Sequence, residues 1–305
     1  MLTAVLSLSG ALVFGAADFL GGLAAKRIGA VLAAAIAAIT GAVALIVLLP
    51  LLGGRWDGPD VAWGALSGVV NAAAIGLLYA ALAIGPMSIL SPLTAVVSAV
   101  VPMAWGLATG ERLGPLGGWG LAVALVAVVL VGFVPERGAV RPSARGLALA
   151  TGSGLAIGTY YIVIDQTSDE SGLVPLVMNR AADAAVLFAV AGLVAFATAT
   201  GRRRTAGSRP GAAAQPAAST GAAMAAARRT GLRLAIACGL VDVAANALLL
   251  GGIRAGDLSV AAVLGAMYPA GTILLAAIVL RERIAPVQWV GLVLALAAAG
   301  LLALA

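Results

Sequence analysis

Four ionisable residues lie inside apolar stretches of this chain: Asp18, Arg180, Asp183 and Asp242. An ionised side chain at the centre of a membrane helix costs about 2.5–3.5 kcal/mol on insertion scales, so each needs a compensating role. Arg180 and Asp183 are three residues apart and share a helix face. Asn246 lies one turn beyond Asp242 on the same face. Two kinds of chemistry follow. A carboxyl group in a low-dielectric setting holds its proton nearer to neutral pH than one in water, which makes Asp242, or Asp18, a candidate for taking up and releasing a proton. Arg180 would then grip a substrate carboxylate with its planar fork of donors. The alternative is a fixed interhelical network in which Asp183 and Asp242 neutralise Arg180. One arginine against three carboxyls leaves acid in excess, which favours at least one titrating site.

Polar neighbours extend the candidate set. Asn71, Tyr160, Tyr161 and Asn179 fall within apolar runs and are candidates for binding substrate or coupling protons. Tyr and Trp also mark membrane interfaces, and Trp56, Trp63, Trp119 and Trp289 near run ends read as belt residues. Pro92, Pro102 and Pro269 interrupt apolar runs; each frees a backbone carbonyl, so they are gating candidates, with a static bend as the alternative.

The composition decides what must hold these residues. Of 305 residues, 62% are hydrophobic and 10% charged. A soluble domain carries about 25% charged residues, so this chain cannot cover a water-facing surface. It has no histidine and one cysteine, Cys238, which excludes a disulfide framework, Cys/His zinc, His-ligated haem and a His-based triad. No metal and no cofactor are expected. Net charge is +6 and sits in short loops; loop arginines set membrane orientation, and nucleic acid is not expected as a partner.

A bilayer core requires roughly 20 apolar residues per helix. Ten segments qualify, at about 2–25, 30–52, 61–84, 87–109, 115–134, 146–165, 173–198, 231–253, 258–280 and 285–305. The fold class is therefore an all-α integral membrane protein. The one long connection, at about 199–230, is rich in Ala, Pro, Gly, Ser and Arg and reads as a disordered basic linker.

Internal repetition gives the organisation. A shift of 171 residues pairs Gly68 with Gly239, Asn71 with Asp242, Gly85 with Gly256, Ser88 with Ser259 and Gly120 with Gly291. It also pairs Glu111-Arg112-x-x-Pro115 with Glu282-Arg283-x-x-Pro286. Five helices per repeat is an odd number, so the second copy must enter the membrane upside down. The expected architecture is ten transmembrane helices in two inverted five-helix repeats, residues 1–135 and 146–305. Inverted repeats characterise transporters, because two mirrored packings exchange access between the two sides.

Two five-helix halves, each closing with a small-residue-rich helix, a Glu-Arg turn and a final span, resemble the EamA family of the drug/metabolite transporter superfamily. The run Phe14-Gly15-Ala16-Ala17-Asp18-Phe19-Leu20-Gly21-Gly22 resembles the first helix of a bacterial subset of that family. The resemblance implies export of amino acids, other metabolites or drugs, no catalytic motif, and both termini in the cytoplasm.

The loop charges say otherwise about orientation. Fourteen Lys and Arg residues fall on the side holding the 1–2, 5–6, 7–8 and 9–10 loops, termed here the linker side. Three, Arg55, Arg112 and Arg254, fall on the terminus side. That imbalance puts the linker side in the cytoplasm and both termini outside. The resulting expectation is a multi-pass plasma-membrane carrier, not an enzyme. It would export small molecules by alternating access, as a monomer or homodimer, driven by proton exchange or by the substrate gradient. The alternatives are a non-transporting scaffold or sensor, and an intramembrane enzyme acting on lipid.

Overall fold

In lipid an apolar segment has to satisfy its own backbone polar groups, and a helix does so internally. The computed structural model accordingly folds this chain into helices joined by short turns, and describes residues 1–84, 87–133, 142–206, 218–281 and 283–305. The elements are α1 (Leu2–Ile28), α2 (Ala30–Leu52), α3 (Gly58–Ile84), α4 (Met87–Thr109), α5 (Pro115–Gly132), α6 (Ala144–Asp165), α7 (Val174–Ala206), α8 (Ala218–Arg254), α9 (Leu258–Gly265), α10 (Tyr268–Val279) and α11 (Pro286–Leu304). A single 3-10 turn, Asp169–Ser171, joins α6 to α7. Among the described residues there is no strand, and nine helical segments are long and apolar enough to cross a membrane, with Leu258–Val279 counted as one.

Two expectations are corrected. The stretch at 199–230 is not all linker: α7 continues to Ala206 and α8 begins at Ala218. Alanine, arginine and the absence of interior proline make both flanks good helix formers; residues 207–217 of the expected linker lie outside the described residues. The expected helix at 258–280 is broken at Ala266–Met267 into α9 and α10. Pro269 therefore stands in the first turn of α10, where its missing N–H is no loss, and not in a helix interior. Pro92 and Pro102 do lie inside the continuous helix α4.

The packing pairs recur when α1–α5 are matched in order with α6, α7, α8, the α9–α10 pair and α11. Helix α1 packs on α8 and α10, and α6 packs on α3 and α4. Helix α2 packs on α8 as α7 packs on α3; α2 also meets α7, and α5 meets α11. Small residues set these approaches. At Gly64 a Cβ would sit 2.6 Å from the Pro175 carbonyl oxygen, and at Gly158 one would sit 2.7 Å from Val101 Cβ. Glycine thus lets α3 lie against α7 and α6 against α4 at backbone distance.

Candidate functional site

Three helices, α1, α7 and α8, bring the four ionisable residues together. Arg180 extends from the second turn of α7 towards α8, passing Gly41 of α2, where a Cβ would sit 3.5 Å from Arg180 Cδ. Its Nη2 donates to Asp242 Oδ2 at 2.9 Å, and its Nη1 lies 3.5 Å from Asp183 Oδ2. The Arg180 and Asp183 side chains are 7% and 2% exposed, while Asp242 is 14% exposed. Both terminal guanidinium nitrogens thus face carboxylates. Asn71 of α3 lies beside Asp183; among the described residues Arg180 Nε has no hydrogen-bond partner.

On the α8 side the network continues through polar side chains. Asn246 donates from Nδ2 to the Asp242 carbonyl at 2.8 Å and accepts at Oδ1 from the Tyr160 hydroxyl, also at 2.8 Å. Tyr160 meets Tyr161 edge to face, with ring centroids 5.5 Å apart. Tyr161 turns away to the end of α9, where a Cβ on Gly265 would sit 2.7 Å from its hydroxyl. Asn179 also leaves the cluster: its Nδ2 donates to Ser67 Oγ at 2.8 Å, so it serves the α3–α7 seam. Pro92 packs against Gly132 of α5 and Pro102 against Gly158 of α6.

Asp18 completes the cluster from α1. It lies within electrostatic range of Asp242 and of Tyr268 at the start of α10. The residue is exposed although it lies on the inner face of the helix. Along that face Ser7 and Ala11 are buried, Phe14 and Gly21 are half-buried, and Asp18 is exposed. The same gradient runs along α3, from buried Gly64 and Gly68 to half-buried Asn71, Ile75 and Leu78. On α8, Ile253, Leu249 and Asn246 are buried, whereas Asp242 and Cys238 are reached by solvent. In α9 every residue is buried, and half-exposure begins at Tyr268 and Thr272. All four helices are thus sealed towards the terminus side and open towards the linker side.

The seal contains polar contacts that sequence reading did not anticipate. Asp60, at the start of α3, accepts from the Ser168 backbone N–H at 2.8 Å and from its hydroxyl at 2.6 Å. Arg254, at the end of α8, donates to the carbonyls of Gly172 (2.7 Å) and Ser168 (2.9 Å). Glu111 accepts from the Leu258 and Ser259 backbone N–H groups at 2.7 and 3.2 Å, capping α9 from the α4–α5 turn. Arg55 pairs with Glu170 at 3.1 Å on the same side. In the sequence Glu111 stands out only as half of a repeated turn, because charge at a span end reads as hydrated until its partner is known.

Comparison with known proteins decides the family. The sequence profile described as "EamA-like transporter family" matches residues 144–304, more than half of the chain. The chain belongs to the EamA family. This EamA protein is thereby a multi-pass membrane protein of a transporter family within the drug/metabolite superfamily. No curated protein matches it. A solved crystal structure is similar over 99% of this EamA chain and 98% of its own, with a TM-score of 0.67 and 17% identity. At that identity the likeness concerns the fold alone.

Proposed function

We propose that this protein is a secondary carrier that exports small metabolites, amino acids or drugs by alternating access. One observation carries the reading: the cluster of Asp18, Asp242, Arg180 and Asp183 lies where interior faces change from buried to accessible. A site that is wet from one side and sealed from the other is what one half of a transport cycle requires. The matched packing pairs support two inverted five-helix repeats, residues 1–135 and 146–305, with α7 as the tenth span. A single chain supplies both halves, so a monomer suffices. In the opposite state the terminus-side contacts of Asp60 and Glu111 open and the linker side closes.

The charge bias supports a cytoplasmic linker side in the plasma membrane, which makes the present arrangement open to the cell interior. Asp18 and Asp242 are the groups positioned to exchange a proton with the cavity. Arg180 acts through Asp242 and Asp183, holding α7 and α8 in one arrangement. Exported metabolites compared between cells expressing wild type, Asp242→Asn and empty vector test the reading. A metabolite class that accumulates outside with wild type alone supports both the carrier and the part played by Asp242. Equal export by wild type and empty vector, at matched membrane levels, removes the exporter.

A further inference from the structure

The cluster on α1, α7 and α8 holds three carboxylates and one guanidinium, and they are unevenly matched. Asp183 and Asp242 both lie on Arg180, at 3.5 and 2.9 Å. Asp18 forms no ion pair among the described residues, and the charged side chain in its electrostatic range is Asp242, of the same sign. With all four groups ionised, the three aspartates and single arginine sum to about −2 by formal charge. Phe14 lies one turn before Asp18 on the same half-open face, and Tyr268 stands across from it on α10.

We infer that the cavity takes substrates bearing a positive charge, a protonated amine or another organic cation, with Asp18 as counter-ion. This rests on the carrier reading above and names its substrate class. A cation entering from the linker side meets an accessible, uncompensated carboxylate. An ammonium brings donors to a site where acceptors are in excess, and aromatic faces beside the carboxylate favour a cation further. An anionic substrate meets the reverse: repulsion by Asp18 and Asp242, and an arginine whose terminal nitrogens are taken.

The test uses full-length protein in lipid nanodiscs and two sets of probes matched in shape. The first set is tryptamine, tryptophol and indole-3-acetate. The second is choline, 3,3-dimethylbutan-1-ol and 3,3-dimethylbutyrate. Calorimetry is expected to show at least one cation binding tenfold or more tightly than its neutral and anionic partners. Asp18→Asn should weaken that binding at least tenfold without lowering the melting temperature, and Asp18→Glu should retain it. Tighter binding of a neutral or anionic probe overturns the substrate class and leaves the carrier standing. Unchanged cation binding in Asp18→Asn overturns the assignment of the counter-ion. If neither cation binds, the inference falls, and the export comparison in cells decides separately whether the carrier reading falls with it.

Discussion

Replacing Asp60 by alanine offers the sharpest test of how the terminus side is held shut. Asp60 is 4% exposed, and its two oxygens accept from the Ser168 backbone N–H and hydroxyl at 2.8 and 2.6 Å. Hydrogen bonds to a charged group contribute about 1.5–3 kcal/mol each. The α6–α7 turn is close to water, where the released groups rehydrate, so the lower value is the better guide, about 3 kcal/mol for the pair. These bonds join α3 to the α6–α7 turn; on the proposed alternating-access cycle they are made only while the terminus side is closed, so their loss should raise the energy of that state alone. A shift of about 3 kcal/mol changes the ratio of the two states by roughly 100-fold. The sole cysteine, Cys238, is half-buried on the accessible part of α8 and reports the change without any engineered label site. In vesicles of known orientation, a membrane-impermeant maleimide should reach Cys238 of the wild type from the linker side. Asp60→Ala should add labelling from the terminus side, at a rate raised by up to that factor. Labelling that stays confined to the linker side, with the variant folded, would refute the idea that this contact helps close the gate.

Three further outcomes are expected. Glu111→Gln removes the charge that caps α9 and should lower stability by about 1 kcal/mol, read as a fall in melting temperature in detergent; an unchanged melting temperature speaks against a charged cap. Gly64→Ala puts a Cβ 2.6 Å from the Pro175 carbonyl oxygen, and overpacking of that kind costs about 1–3 kcal/mol; the yield of folded protein should drop, whereas Gly22→Ala, with nothing near its Cβ, should behave as wild type. Alkaline phosphatase fused after Ala305 should be active and a fluorescent protein at the same place dark, as the loop charges require; the reverse pattern places both termini inside.

Much of the helical architecture was readable because apolar run length in a membrane is set by bilayer thickness. The ends of α2, α3 and α4 follow the runs closely for that reason. The extension of α7 and α8 past the expected spans was not readable, because helix outside an apolar run depends on alanine propensity and not on hydrophobicity. The break at Ala266–Met267 also left no composition signal; it lies among buried small residues, and proline three positions later reads equally as an interior kink. At the site, Arg180, Asp183 and Asp242 were legible, since a charge in lipid has to find an opposite charge. That Asn179 faces Ser67 and Tyr161 faces α9 depends on helix rotation, which a sequence without strong amphipathic bias does not define. Asp60, Glu111 and Arg254 were hidden because their partners lie 108, 147 and 82 positions away in the chain.

The interruption between α9 and α10 has a consequence for how the two matched helices tolerate insertions. In unbroken α4, one added residue rotates everything beyond it by about 100° and lifts it by about 1.5 Å, turning Pro92 or Pro102 away from α5 and α6. At Ala266–Met267 the hydrogen-bond ladder already restarts, with Ala270 donating to the Met267 carbonyl at 2.9 Å. A residue added there can be absorbed in the turn, leaving α9 on its Glu111 cap and α10 against α1. Length changes are therefore partitioned unequally between the halves, and the second half is the one in which the chain can vary in register while its buried faces stay fixed.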